Sequence, residues 1–435
     1  MPAPAPAGIS YNSFSKEERV AFENLLEGFQ DALVMSRNVS IYNTDQTMME
    51  RTNNTIWRPQ PYISRSFAGT DQTDNFSQYT QLSVPSQIGF NRSVPWIMTA
   101  TELRDALQEQ RLGNAAKQKL ASDINVQTLS VASSLGSLVV KRTTAATGYD
   151  DVAQCEAIFN EQGVQFEDRY LALSTRDYNG MASNLASRQT LAGKALTGYE
   201  KSRVGEVASF DTYKLDYANR IAAAAGGSVT IDTRDSAGPY WVPKAVTTSP
   251  STSERLNVDN RFQTVTLSAN GGVVAGDCFT IAGVYAVHHI TKQSTGQLKT
   301  FRVVSVANTG TTVVITPPII SNQVTPIDSA SAEYQNCVVE TKAANSAIVW
   351  LNTASGFINC FWQKDAIEIL PGRYAVPSDA GVNVIRASTD QGIELVMQKF
   401  YDINTMKIKY RLDTLFGVVN KQPEMSGIIL FGQSA

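Results

Sequence analysis

The 435-residue sequence is poor in the residues on which enzyme sites most often depend. It has two histidines, His288 and His289, and four cysteines, Cys155, Cys278, Cys337 and Cys360. The histidines fall in a stretch that reads as a strand, where neighbours point to opposite faces and cannot share a metal ion. No two cysteines lie within four residues of each other, so zinc-knuckle and CxxC spacings are absent. Free thiols in a reducing compartment are the expectation. With neither a cysteine nor a further histidine nearby, a histidine-based triad has little to draw on. There is no GxSxG elbow and no GxGxxG loop. The nearest approach to a phosphate loop, Gly193-Lys194, has Arg188 where a glycine is needed and Ala195 where a magnesium-ligating hydroxyl is needed. Carboxylate pairs such as Asp150-Asp151 have no distinguishing spacing and read as solvated. The expectation is a protein with no catalytic residues, no cofactor and no metal.

Charge of one sign is also missing. The formal net charge is −3, without a basic tail or stripe, so tight binding to phosphate backbones is not expected. Aromatic residues do not alternate with Arg and Lys as they do on a base-stacking platform. No run of about 18 apolar residues is present to span a membrane. The start, Met1-Pro2-Ala3-Pro4-Ala5-Pro6, lacks the basic and apolar regions of a signal peptide. A soluble protein made in a cytoplasm is the reading. What is there is 43% apolar residues, enough to bury several cores, and length alone suggests about two to four units. Large cores without a chemical site point to work done through interfaces.

Along the chain, residues 1–14 alternate Pro and Ala and then turn polar, as a mobile arm does. Ser15 and Glu18 have capping-box spacing, and Phe22, Leu25, Leu26, Phe29 and Leu33 then form one apolar helical stripe. Glu17, Glu23, Glu27 and Asp31 give that helix an acidic side. Residues 50–98 are rich in Ser, Thr, Asn and Gln and broken by Pro59, Pro61, Pro85 and Pro95. Such a stretch excludes a helix, favours extended edge-like segments and cannot build its own core. Thr99 and Glu102 repeat the capping-box spacing, and a helix of about 50 Å is expected from Glu102 to Leu135. Leu103, Leu107, Leu120, Ile124, Val131 and Leu135 form its stripe, Gly113 is its one interior weakness, and Gly136 suits a left-handed cap. Val152–Phe159 and Asp177–Leu196 read as helices with a strand at Arg169–Leu173 between them. After the composition shift at 222–227, residues 228–340 read as all-β, with Gly-containing turns between short alternating strands. Near the end Met406, Ile408, Tyr410 and Leu412 alternate with Lys407, Lys409, Arg411 and Asp413 as one buried and one wet face, and Ile393, Leu395 and Met397 suit a partner strand.

Several segments resemble the coat proteins of short-tailed enterobacterial phages, the tailed-phage lineage with an extra β-barrel inserted in the capsid fold. These are Asn54-Thr55-Ile56-Trp57 with Pro59, Leu135-Gly136-Ser137-Leu138-Val139, and Val258-Asp259-Asn260-Arg261-Phe262 running into Thr264-Val265-Thr266-Leu267-Ser268. Gly276-Asp277, Ala282-Gly283-Val284 and Ile315-Thr316-Pro317 continue in order.

The resemblance implies an α+β capsid fold with an inserted all-β barrel. Its divisions would be an N-terminal arm and helix (1–50), an extended loop (51–98) and a spine helix of the peripheral domain (99–140). An axial domain (141–225 and 346–385), the barrel (226–345) and a peripheral sheet (386–435) would complete it. It implies a major capsid protein that builds pentamers and hexamers of an icosahedral virion shell around double-stranded DNA, without sequence-specific binding to it. Assembly would take place in the host bacterial cytoplasm and involve scaffolding and portal proteins but no membrane. A loop near 240–261, with Lys244, Glu254, Arg255, Asp259 and Arg261, would reach a neighbouring capsomer. A separate scaffolding protein would dock on the acidic helix at Glu17, Glu23, Glu27 and Asp31. A maturation change would shift the spine helix and extended loop against the axial domain. The sequence departs from cross-linked shells: no lysine occurs between Lys16 and Lys117, so a bond from a lysine of the extended loop cannot form. A bacterial nanocompartment shell protein and a phage tail or decoration protein are the alternatives.

Overall fold

The capping box at Thr99 is formed. The Thr99 N–H donates to the Glu102 carboxylate at 2.8 Å, and the Glu102 N–H donates to Thr99 Oγ1 at 3.4 Å. The structure is a computed structural model that describes residues 16–42, 55–76, 78–99, 101–102, 106–188, 205–231, 240–269, 271–307, 311–321, 329–339, 345–375, 383–389 and 391–434. Elements are numbered along the chain. It divides into two compact units, one of Met1–Ile56, Ser86–Thr128 and Glu368–Val419, the other of Trp57–Pro85, Leu129–Ile367 and Asn420–Ala435.

In the first unit, α1 (Lys16–Ala32) buries the Phe22, Leu25 and Phe29 stripe, continued by Leu33 just beyond its end. Helix α2 (Ala106–Leu135) begins in this unit, and its residues 129–135 belong to the second; it has 30 residues and is therefore about 45 Å long. Its Gly113 is more than a weak point. A Cβ there would stand 3.3 Å from Leu25 Cδ1, so the missing side chain makes room for the α1 stripe. The side chains of Leu103 and Leu107 lie outside the described residues; Leu120 and Ile124 are fully buried.

The sheet of this unit runs β1 (Ser40–Ile41), β21 (Ile367–Pro371), β24 (Lys407–Asn420), β23 (Glu394–Asp402) and β22 (Asn383–Ser388), and β4 (Phe90–Thr99) pairs along β24. Strands β23 and β24 form the expected antiparallel hairpin, with Met397 opposite Leu412. Ile408, Tyr410 and Leu412 are buried, and Trp96 of β4 stacks on Tyr410 at 5.4 Å between centroids. The expected alternation fails at its ends, since Met406 precedes the strand and is exposed, and Asp413 is buried with its carboxylate accepting from Arg411. Pro95 faces Arg411 on β4, which pairs with β24 alone and so tolerates a residue without an N–H. The sequence expectation of an extended loop to residue 98 is shortened accordingly, because 90–99 is a sheet strand. Strands β2 (Thr55–Pro59) and β3 (Ser83–Gln87) pair as a two-stranded ribbon, and the described residues between them join no sheet.

The second unit holds a mixed sheet in the order β5 (Leu138–Lys141), β25 (Ser426–Leu430), β20 (Asn359–Gln363), β6 (Arg169–Ser174), β8 (Phe210–Leu215) and β7 (Glu206–Val207). Helices α3 (Tyr149–Gln162) and α4 (Thr175–Arg188) belong to the same unit. Residues 189–196 of the second expected helix lie outside the described residues. Buried Asp151 organises the start of α3: its carboxylate accepts from Arg142 Nε at 2.6 Å, from the Thr147 N–H at 2.6 Å and from the Gly148 N–H at 3.2 Å. Phe159 of α3, Phe210 of β8 and Phe361 of β20 meet in the core with centroids 5.1–6.1 Å apart.

Two expectations are corrected here. Residues 386–435 do not form one sheet, since β25 lies between β5 and β20 in the second unit. Gly136 is not in the left-handed region. A Cβ on it would meet Ala132 O at 2.9 Å and Gly427 N at 3.1 Å, so its role is close approach to β25.

Between the short pair β9 (Arg220–Ile221) and β19 (Gly356–Phe357) the chain builds the barrel. Its strands run β10 (Thr230–Ile231), β18 (Ser346–Trp350), β14 (Cys278–Val287), β15 (Ser294–Val306), β16 (Thr312–Thr316) and β13 (Gln263–Thr266). A bridge of Ile231 to Leu267, with the Ser268 N–H donating to Thr230 O at 3.0 Å, closes the ring. β17 (Cys337–Val339) adds to the second half of β14. Inward-facing Val265, Phe279, Ile281, Phe301, Val303 and Ile315 fill the barrel.

Candidate functional site

All four cysteines are buried and unpaired, and burial raises each thiol, pushing Cys337 and Cys360 to about 12. They are not poised as nucleophiles. Among the described residues no group of three or more His, Cys, Asp and Glu side chains is placed to hold a metal ion. The two histidines lie in the turn after β14 rather than on a strand. His288 Nδ1 accepts from the N–H groups of Ile290 and Thr291, both at 3.2 Å.

His289 is half-buried behind that turn, and its buried Nε2 lies 4.0 Å from Glu424, with no hydrogen bond. Glu424 is itself paired with Lys299. Burial lowers the His289 pKa to about 4; Glu424 opposes this, while Lys299, Lys292 and His288 add to it. Burial would raise Glu424, but Lys299, His289 and Lys292 together leave it lowered. An unfolded chain takes up the His289 proton near the ordinary histidine value, and the folded chain does so only near 4. Stability should therefore fall as pH drops through this window, by up to about 3 kcal/mol from this group. Denaturant titrations at pH 7, 6 and 5 check this; His289→Gln should flatten the dependence relative to the parent, and equal slopes would refute it.

The segment expected to reach a neighbour is a small hairpin. Strands β11 (Val246–Thr248) and β12 (Arg255–Asn257) pair with Val246 opposite Asn257, and the Ser249 N–H donates to Glu254 O at 2.9 Å across the tip. Lys244, Glu254 and Arg255 are exposed, together with half of Leu256. The base is pinned by buried Asn260. Its amide donates to Lys244 O at 2.8 Å and accepts from the Lys244 N–H and from Trp241 Nε1, both at 3.1 Å.

The other two candidates are at that base. Arg261 is buried, makes a forked contact with Asp259 (Nη2 to Oδ2 2.7 Å, Nε to Oδ1 3.0 Å) and donates from Nη1 to Asn420 O at 2.7 Å. The structure thus brings Lys244, Glu254 and Arg255 to the outside. It corrects the reading of Arg261, whose guanidinium is committed within its own chain.

On the acidic helix, Glu23 is exposed; the side chains of Glu17, Glu27 and Asp31 lie outside the described residues. A further surface was not singled out in the sequence. Between β2 and β3, Tyr62, Phe67, Phe76 and Tyr79 are all exposed, Phe76 at 88%. Arg65 covers Phe67 at 5.3 Å, and Tyr62 meets Tyr79 edge-on at 6.1 Å. Four large rings in a segment without a core of its own make an exposed aromatic surface. Their signal in the sequence is the aromatic content of a stretch that has no apolar periodicity.

A closed barrel interrupting a mixed α/β unit, with an exposed hairpin and an exposed aromatic segment, describes a structural subunit. Residues 11–432 match the family model described as P22 coat protein, gene protein 5. The chain is also similar to the CUS-3 coat protein I-domain, at 40% identity over 29% of this chain and 96% of that one, with a TM-score of 0.21. It is similar to the mature capsid protein of bacteriophage PhiM1 at 9% identity over 100% and 92% of the two chains, TM-score 0.43. For the capsid of the cyanophage P-SCSP1u the values are 9% identity, 91% and 86% coverage and TM-score 0.41. The family model spans nearly the whole chain, and the protein belongs to the P22 coat protein family. It is a phage major capsid protein, a structural component of the virion whose copies form an icosahedral shell.

Proposed function

We propose that the protein assembles with a separate scaffolding protein, in the cytoplasm of the host bacterium, into pentamers and hexamers of a shell around the double-stranded DNA genome. The observation that carries this is the family match from residue 11 to residue 432. Head-to-tail contacts between copies close rings when the rotation allows it, and many modest contacts then act together. In this reading residues 60–82 with their exposed aromatics reach over a neighbouring copy, α2 is the spine of the peripheral domain, and the unit with α3, α4 and β20 is axial. The β11–β12 hairpin of the inserted barrel reaches a neighbouring capsomer through Lys244, Glu254 and Arg255. Because residues 17–116 contain no lysine, this segment holds its neighbour without a covalent lysine bond. The slightly acidic chain encloses DNA without gripping it, and one vertex is given to a portal protein. Maturation shifts α2 and residues 60–82 against the axial part.

Expression with and without a scaffolding protein, followed by electron cryo-microscopy, tests the reading. Closed shells of pentamers and hexamers are expected; persistent monomers with scaffold present would overturn it. The scaffold is proposed to meet the acidic side of α1. Glu23→Lys combined with Glu27→Lys should reduce scaffold-dependent assembly several-fold while the isolated chain stays folded. Unchanged assembly kinetics by light scattering would remove that docking site.

A further inference from the structure

Arg302 of β15 is 1% exposed. A buried cation is costly unless a counter-charge meets it. The partners of this guanidinium are two main-chain carbonyls and the Cys278 thiol, none of them a carboxylate: Nη1 donates in a short contact to Ser133 O and Nη2 to Gly276 O at 3.2 Å, while Nε is buried without a partner. Ser133 is in the last turn of α2, which ends at Leu135. The last carbonyls of a helix have no intrahelical donor, and the helix dipole concentrates partial negative charge there. The counter-charge of Arg302 is thus the end of a 30-residue helix.

Arg302 does not act alone. On the same strand Thr300 Oγ1 donates to Ser137 O at 2.7 Å, just beyond the helix, and Lys299 pairs with Glu424. Glu424 lies in the single turn Pro423–Met425, whose Pro423 O accepts from the Ser137 N–H at 3.1 Å and from Ser137 Oγ at 2.8 Å. Asn219 Nδ2 donates to Ser133 Oγ at 2.6 Å. The outer side of one barrel strand therefore satisfies and holds the C-terminal end of α2. Resting on the assembly reading above, we propose that Arg302 is a positioning residue for assembly: β15 caps the spine helix and holds its last turn in place. Arg302 is too buried to touch another copy, so its influence on shell geometry has to pass through the helix.

The test uses the full chain in two measurements. Hydrogen exchange on the soluble subunit reads the cap, and particle diameters after assembly with scaffold read the geometry. Arg302→Met should speed exchange of the amides of residues 129–137 at least tenfold, leave those of β14 and β16 as in the parent, and broaden or shift the diameters. Arg302→Lys, which keeps the charge, should lie between Met and parent in both. Thr300→Val removes a second cap contact without removing the buried charge, and should move both readouts the same way if Arg302→Met does not fold. Val303→Ala, a core change on the same strand, should lower barrel stability without altering either readout. Parental exchange at 129–137, or parental diameters from a chain with a loosened helix end, would overturn the proposal. If the parent chain itself builds no shells, the assembly reading is what fails, while the exchange measurement still decides the cap.

Discussion

Reversing the exposed charges of the β11–β12 hairpin, with Lys244→Glu and Arg255→Glu together, is expected to lower the yield of closed shells roughly tenfold, about 1.4 kcal/mol in the limiting association. The melting temperature of the unassembled subunit should stay at the parent value, because both side chains are exposed and hold no part of the fold. A contact repeated over a whole shell amplifies a small pairwise loss, which is why a surface charge can matter here when it contributes little to a monomer. Sedimentation of the assembly reaction separates shells from subunits. Restoration of yield by complementary reversal at Glu254 would identify the partner charge as a copy of the same hairpin. Parental yield from the double variant at low salt, where screening is weakest, would mean the hairpin does not carry a contact.

The largest loss of stability is expected for Phe361→Ala. Phe361 is fully buried on β20, in the middle of the sheet of the second unit, with Phe159 at 5.1 Å and Phe210 at 6.1 Å. Truncation removes the ring from both neighbours and leaves a cavity that the flanking strands β25 and β6 cannot close, at a cost of about 3–5 kcal/mol. The position is constrained from the other side as well, since a Cβ on Gly427 would stand 2.4 Å from the Phe361 ring and 2.5 Å from Leu138 O. Denaturant unfolding followed by the fluorescence of the adjacent Trp362 measures the loss. A cost below about 1 kcal/mol would show that this sheet repacks far more freely than its geometry implies.

Local order was legible in the sequence where a single periodicity was complete. The stripe of α1, the capping box before α2 and the barrel strands lie where their spacing put them, and the alternation near the end holds from Lys407 to Leu412 but not at Met406 or Asp413. What spacing does not encode is which distant strands meet. Nothing in residues 426–430 says that they insert between β5 and β20 instead of extending the sheet of β23 and β24, because an apolar strand suits the middle of either. Gly136 illustrates the same limit: a glycine after a helix suits a left-handed cap, and only the nearness of Gly427 reveals the other use. For the candidate contact residues, the resemblance to the phage coat proteins pointed to the loop, and charge alone does not separate Asp259 and Arg261 from Glu254 and Arg255. Burial against Asn420 O distinguishes them. The exposed rings of residues 60–82 and the Arg302 cap were missed for opposite reasons. The rings lacked a pattern, and Arg302 sits on an ordinary barrel strand whose partner carbonyl belongs to a remote helix.

The place of β25 in its sheet bears on how a ribosome makes this protein. Every strand of the barrel has emerged once Trp350 is synthesised, so the barrel has all its internal partners while the chain is still growing. The neighbouring sheet does not. Between β5 and β20 it has an empty lane until Ser426–Leu430 arrives, and during that time two strands face each other without a main-chain partner. A nascent or prematurely terminated chain is thus half finished in a defined way: its insertion is folded and its central lane is open to any passing strand. Pairing of Ser426–Leu430 with both neighbours is what closes this sheet, so its completion waits on a segment nearly 290 residues after β5.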